Sequence, residues 1–272
     1  MIVDIKKSFE MPSQEEWDNL LATEHFESMR LDEALLKDYE KYIMLYPRLM
    51  EAFTGHNNKV GALEITYVLC KHYFDKGIPD DRWYISPGTK GQSVEYDPDF
   101  EEEHYMRRFW FNHYAENIYL KYFSLWDNII DIVNIYFDLD IKNDMRMRSS
   151  VMKWLKSNQK DLYDFLYNTA EDEIYKKANE YRTCFVHGIA PSELSDLYPY
   201  KKNTTAKVPY VKDGKLAYKE VSGATVLTMS VGNYTPVKYV MNNIEEFAEF
   251  SGKQINNFMR LLLSKGVTHV SK

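Results

Sequence analysis

The fold of this chain is organised around the stretch DLYDFLYNTAEDEIYKKANEYRTCFVHGI, which runs from Asp161 to Ile189. Its apolar residues recur in steps of four, with one step of three, at Leu162, Leu166, Ala170, Ile174, Ala178, Tyr181 and Phe185. This spacing places them along one side of an α-helix. The stretch therefore predicts a helix over residues 160–187 that packs against other helices and ends at Gly188, with Pro191 beyond it.

The N-terminal part also predicts helices. Ser13 and Glu16 have the spacing of a capping box, which opens a short helix. A second helix is predicted over residues 31–43, with Pro47 kinking or ending it. The residues Gly-His-Asn-Asn at 55–58 predict a turn.

A third helix is predicted from Val60 to Phe74, followed by a long loop over residues 77–100. Arg82 and Trp83 in this loop would either stack on a nucleic-acid base or anchor the loop to the protein. Residues 101–139 then predict a long helix whose second half is apolar on nearly all sides. We expect that helix to be central and buried.

The amino-acid composition changes after Pro191. Asp213-Gly214 lies between two β-prone runs and predicts a hairpin. We expect a small β insert over residues 201–237, followed by a C-terminal helix over 239–265. The chain is thus expected to be a single, mainly α domain over residues 1–272, with an N-terminal helical extension at 13–76.

Composition restricts the class of protein. Hydrophobic residues make up 44% of the chain and aromatic residues 15%, which is ample for a packed core. The net charge of -7 argues against a broad basic surface for nucleic acid. Two cysteines, no export signal and no long uncharged apolar stretch favour a cytoplasmic protein outside the membrane. No standard cofactor or metal motif is present, so we expect neither.

Two Arg–His pairs, each five positions apart, are candidates for a catalytic site because of their spacing. Arg182 and His187 lie on the last turns of the predicted helix 160–187, and Arg108 and His113 have the same spacing earlier in the chain. Chance alone produces such spacings, so the spacing cannot choose between them. Context favours Arg182 and His187, because the other pair follows a run of acidic residues that looks like a solvated helix start.

A purely structural interpretation of this pair stays open. Arg182 would then pair with Asp127 or Asp131 and complement the helix dipole, while His187 would serve only as a hydrogen-bonding residue. On a straight helix, Arg182 lies about 40° and His187 about 180° from Ala178 around the axis. The two side chains then face different ways, unless the helix tightens or ends before His187 or the groups come from different protomers. Cys184 is expected to be a small buried residue rather than a nucleophile.

The stretch EYRTCFVHG, late in a helical chain and after a long apolar helix, resembles the signature of the HEPN superfamily. The motif positions in this sequence are Arg182, Thr183 and His187. The family often has Asn, Asp or His where Thr183 stands. The resemblance covers roughly residues 101–190 and implies a HEPN-like helical bundle, with the N-terminal helices and the β insert lying outside it.

The resemblance implies a metal-independent endoribonuclease that acts as a homodimer, with RNA as its substrate at a composite cleft. His187 would be the acid or base, Arg182 would bind the phosphate, and Thr183 would orient either group. A toxin or defence effector with an antitoxin or regulatory partner is one biological setting. The alternative is a non-catalytic module that binds a partner protein or a nucleotide.

Overall fold

The computed structural model describes residues 9–21, 26–32, 36 and 45–265, and shows a mainly helical chain with two small hairpins. The helices are α1 (Gln14–Leu21), α2 (Leu45–Asp75), α3 (Glu102–Tyr136), α4 (Met147–Asn158), α5 (Lys160–Glu171), α6 (Glu173–His187) and α7 (Val237–Leu263). The antiparallel strands are β1 (Tyr84–Ile85), β2 (Glu95–Tyr96), β3 (Tyr200–Lys212) and β4 (Lys215–Leu227).

The predicted long central helix is confirmed as α3. Its second half is buried on nearly every side, with Ile118, Ile129 and Val133 completely covered. The helix α2 runs antiparallel beside it, because Arg48 near the start of α2 contacts Asp138 just beyond the end of α3, while Cys70 near the end of α2 lies against Phe111. No helix within the described ranges is long and apolar enough to cross a membrane.

The helices α6 and α7 cover the remaining sides of α3. The hydroxyl of Tyr119 donates to the Oδ1 of Asn243 at 2.9 Å, and that of Tyr122 donates to the carbonyl of Ile244 at 3.1 Å. These bonds satisfy polar groups that would otherwise be buried without partners. They also hold α7 in one register along α3.

The predicted turn at residues 55–58 is wrong, because α2 continues through it. The polar side chains of His56 and Asn57 form hydrogen bonds with other parts of the chain instead of with their own backbone. The His56 ring lies 3.0 Å from both Asn128 Oδ1 and the carbonyl oxygen of Met29. The side chain of Asn57 exchanges two hydrogen bonds with the backbone of Leu31, at 2.8 and 2.9 Å. Local turn preference is therefore overridden by tertiary hydrogen bonds.

The other N-terminal predictions have mixed outcomes. The capping box is confirmed, since Glu16 N donates to Ser13 Oγ at 3.2 Å and Ser13 N to the Glu16 carboxylate at 3.3 Å. Pro47 does not end a helix, because it lies within the first described turn of α2. Most of the predicted helix 31–43 lies outside the described residues.

The predicted single helix over residues 160–187 is two helices, α5 and α6. Asp172 has an extended backbone between them, with φ -63° and ψ 142°, and its side chain accepts from Ile174 N at 2.9 Å. An aspartate that caps the following helix favours such an interruption. The apolar side is kept across the break, since Leu162, Ala178 and Tyr181 are all buried.

The predicted hairpin is confirmed. Its two strands have 13 residues each, so it is longer than the β-prone runs that flank Asp-Gly. Asp213 and Gly214 form its turn with φ angles of 52° and 73°, a conformation that Asp-Gly favours in hairpins.

In the loop after α2, Trp83 stacks on Tyr234 with ring centroids 5.5 Å apart. Arg82 pairs with Asp99 at 2.6 Å. These contacts favour the interpretation of Arg82 and Trp83 as loop anchors.

The buried His56 predicts a specific acid sensitivity. Burial lowers its pKa from the ordinary value of 6.5, so the unfolded chain takes up the proton first. The free energy of unfolding should therefore fall as pH drops below about 6.5. In His56→Gln, urea unfolding at pH 7.5, 6.5 and 5.5 should show a weaker pH dependence, whereas the exposed control His113→Gln should behave as wild type. An unchanged pH dependence in His56→Gln would contradict this assignment.

Candidate functional site

Arg182 is held at the edge of the helical core, and it has no ion-pair partner among the described residues. Its guanidinium carbon lies 5.0 Å from the centroid of the Phe123 ring on α3. Its Nη1 makes one long hydrogen bond, 3.4 Å, to Asn179 Oδ1 one turn earlier on α6. Its Nε is buried and has no acceptor among the described residues. The aromatic ring therefore positions the guanidinium while leaving donors unused.

An open cleft of about 320 Å³ lies beside this guanidinium. It is lined by Phe123 and Asp127 of α3, Arg148 of α4, and Tyr175, Asn179 and Arg182 of α6. The spacing of residues in the sequence does not single out Arg148, because α4 and α6 come together only in the folded chain.

The ion pair with Asp127 or Asp131 that the purely structural interpretation gave to Arg182 is not present within the described part of the chain. Asp127 instead accepts from Arg148 Nη1 at 3.1 Å. Burial raises the pKa of Tyr175, the neighbouring cleft residue, although the Arg148 guanidinium acts in the opposite direction. The Tyr175 hydroxyl is thus protonated at neutral pH and can act as a donor.

His187 is the last residue of α6 and is exposed to solvent. Its ring has no hydrogen-bond partner in the segments that the structure describes. The helix stays regular up to this point, since Gly188 N donates to the carbonyl of Cys184 at 2.9 Å. Five residues of regular helix separate Arg182 and His187 by about 140° around the axis. The helix therefore does not tighten or end before His187, and the two side chains of one chain diverge.

Thr183 is exposed, and its hydroxyl donates to the carbonyl of Asn179 at 2.7 Å. This bond within the helix leaves the hydroxyl in contact with neither Arg182 nor His187. Asn179, Thr183 and His187 are spaced by four residues and share the exposed side of α6. Arg182 borders that side, so the motif forms one continuous surface strip.

The competing pair Arg108 and His113 has a different environment. Both Nη atoms of Arg108 donate to the Asp97 carboxylate, at 2.9 and 3.0 Å, and Nη1 also lies 3.3 Å from Tyr234 Oη. The guanidinium carbon is 4.6 Å from the Phe100 ring centroid. The predicted solvated role of Arg108 is therefore wrong, because this side chain ties the 77–100 loop to α3. Both of its Nη atoms are thus engaged by partners within the chain.

The two cysteines are free thiols in contrasting environments. Cys70 is buried, and burial raises the pKa of its thiol. Cys184 is exposed, so the expectation that it is buried is wrong. Its position at about 240° from Ala178 on α6 turns it away from the apolar side. Among the described residues, no three His, Cys, Asp or Glu side chains come together as a set of metal ligands.

A family model described as Cthe2314-like HEPN matches residues 53–255, which is well over half of the chain. The matched range runs from α2 into α7 and is wider than the 101–190 stretch that carries the motif resemblance. No curated protein and no solved structure matches the chain.

The two arginines should differ sharply in their effect on stability. Arg108→Ala leaves the part-buried Asp97 carboxylate unpaired and should lower the free energy of unfolding by about 3 kcal/mol. Arg182→Ala removes a contact with one ring and should cost about 1 kcal/mol or less. Urea unfolding of both variants measures the difference. Equal losses would mean that Arg182 is as structural as Arg108.

Proposed function

Because the chain belongs to the Cthe2314-like HEPN family, we propose that it is a metal-independent endoribonuclease. Its active form is a homodimer in which two copies of α6 line one composite cleft. Arg182 and His187 are the catalytic residues, and Thr183 is a positioning residue at the same surface. A toxin or defence effector restrained by an antitoxin-like protein is a fitting biological setting.

One observation carries this proposal. The structure contains two Arg–His pairs of equal spacing, and their arginines are used in opposite ways. Arg108 is committed to Asp97, whereas Arg182 faces an open cleft with a buried donor that has no acceptor in the described chain. Phosphodiester chemistry requires an imidazole and a positioned guanidinium with free donors, and Arg182 supplies such a guanidinium within the described chain.

The chemistry follows from the two side chains. The 2′-hydroxyl of the ribose attacks the adjacent phosphorus, so the 2′-oxygen–phosphorus bond forms and the bond from phosphorus to the 5′-oxygen breaks. One imidazole takes the proton from the 2′-hydroxyl, and one gives a proton to the leaving 5′-oxygen. The guanidinium of Arg182 binds the phosphoryl oxygens as charge builds on them. The products are a 2′,3′-cyclic phosphate and a 5′-hydroxyl.

The divergence of Arg182 and His187 supports a composite site. Since they point about 140° apart on one helix, a single chain does not direct both at one phosphate. Two α6 helices that meet along the strip of Asn179, Thr183 and His187 would bring Arg182 and His187 from both chains to one cleft. Such a cleft also supplies two imidazoles, one for each proton transfer.

A non-catalytic binding module is the alternative. The net charge of -7 favours it, because an acidic protein repels RNA at a distance. In that case the motif would bind a partner protein or a nucleotide, and its replacement would weaken that binding without changing RNA.

The test is cleavage of total cellular RNA and tRNA by the purified protein in EDTA. Wild type should cut and leave cyclic phosphate ends. Arg182→Ala and His187→Ala should each lose about 100-fold or more of the rate, in line with the contribution of general acid–base and electrostatic catalysis. The matched control His113→Ala removes the exposed histidine of the other pair and should cut as wild type does. Equal cutting by wild type and His187→Ala, or none by either, would overturn the ribonuclease proposal.

The composite cleft has its own measurement. The rate per chain should fall on dilution over the same concentrations at which analytical ultracentrifugation shows dimers dissociating into monomers. A rate per chain that is constant through that dissociation would contradict a site shared between two chains.

A further inference from the structure

The cleft beside Arg182 contains a second cation that the proposed chemistry does not use. Arg148 enters it from α4, so α3, α4 and α6 each contribute a charged side chain to one open space. Two guanidinium groups face the single carboxylate of Asp127 there. The cleft therefore carries a net positive charge within a chain whose overall charge is -7.

The ion pair of Arg148 with Asp127 does not prevent Arg148 from binding a ligand. Its ion pair with Asp127 joins side chains that are 46% and 65% exposed, and it also hydrogen-bonds to the Tyr175 hydroxyl in the same cleft. Exposed pairs of this kind contribute little to stability, because water solvates both charges when they separate. Arg148 can thus exchange the carboxylate for another anion at small cost. Asp127 meanwhile keeps the guanidinium at the cleft when no ligand is bound.

The other residues that line the cleft suit a phosphate. Phe123 supports one face of the Arg182 guanidinium, which fixes the plane in which its donors point. The Nε of that group is buried and lacks an acceptor within the described chain, and a buried donor of this kind calls for a partner. Phosphate oxygens accept from guanidinium groups in pairs, with geometry that a planar fork matches.

We propose that this cleft binds the phosphate backbone of single-stranded RNA, with Arg148 as a second phosphate ligand beside Arg182 and Asp127 as the counter-ion that RNA displaces. The assignment rests on the proposed ribonuclease function for its choice of ligand. It adds a binding residue from outside the motif helix. It also explains how an acidic chain holds RNA, since the attraction is confined to one cleft.

A purely structural role for the ion pair between Arg148 and Asp127 makes a different prediction. If Arg148 and Asp127 only tie α4 to α3, then loss of either side chain has the same small effect on stability, and neither changes ligand binding. If the cleft binds phosphate, the two replacements act in opposite directions. Loss of Arg148 removes a ligand, whereas neutralising Asp127 removes the competing anion.

The experiment uses an RNA oligonucleotide with 2′-O-methyl riboses, which cannot be cut by attack of the 2′-oxygen. Its Kd is measured by fluorescence anisotropy at several NaCl concentrations. Arg148→Ala should raise the Kd about three- to tenfold, and should reduce the slope of log K against log salt by about 0.7, the value for one lost phosphate contact on a single strand. Asp127→Asn should lower the Kd.

Arg48→Ala is the matched control. Arg48 also makes one exposed ion pair, with Asp138 at 3.2 Å, and is 47% exposed. It lies near the start of α2, outside the cleft, so this variant should bind the oligonucleotide within about twofold of wild type, as expected for an exposed pair. It removes the same charge from the chain, which separates a local contact from a general change in net charge.

The outcomes distinguish this inference from the ribonuclease proposal. If Arg148→Ala and Asp127→Asn shift the Kd in opposite directions but wild type cuts no RNA, the phosphate cleft stands and the catalytic proposal falls. If wild type cuts RNA but Arg148→Ala binds and cuts like Arg48→Ala, the catalytic proposal stands and the phosphate cleft falls. Absence of oligonucleotide binding by wild type also overturns the phosphate cleft.

Discussion

Burial of α3 on nearly every side is the constraint on which the rest of the structure depends. A helix that is covered all round must satisfy every polar group that it carries, because unpaired buried groups are costly. Tyr119 and Tyr122 of α3 meet this requirement by donating to α7 at Asn243 and Ile244. The same helix presents Phe123 towards α6, where the ring supports Arg182. The position of the candidate site therefore follows from the packing of the central helix.

Arg108, Arg148 and Arg182 have different roles, and the difference comes from their surroundings alone. Arg108 is enclosed by Asp97, Tyr234 and Phe100, and so it holds a loop in place. Arg148 pairs with Asp127 in an exposed ion pair and hydrogen-bonds to Tyr175. Arg182 is positioned by an aromatic ring and has no carboxylate partner in the described chain. Since a guanidinium keeps its charge in all three settings, its capacity to bind a ligand depends on which donors the fold leaves free.

Helical periodicity predicted much of this fold. The apolar steps of four located the elements that became α5 and α6, the all-round apolar stretch located α3, and Asp-Gly located the turn of the long hairpin. The wrong turn prediction at residues 55–58 involves polar side chains whose partners are distant in the sequence. His56 and Asn57 suggested a turn until their bonds to Met29 and Leu31 were known. Asp172, which divides α5 from α6, resembles any other acidic residue on a solvated side.

The candidate site shows the same division. Local spacing and family resemblance selected Arg182, Thr183 and His187 as candidate site residues, and the residue type alone set the charge of each arginine and the protonation chemistry of histidine. The order of residues could not show that Arg108 is occupied or that Asp127 pairs with Arg148 rather than Arg182. Those properties depend on which side chains from separate helices meet, and contacts of long sequence separation leave no trace in local periodicity. Amino-acid order therefore specified the elements and the chemical groups, whereas packing around α3 determined which of those groups remain free to act.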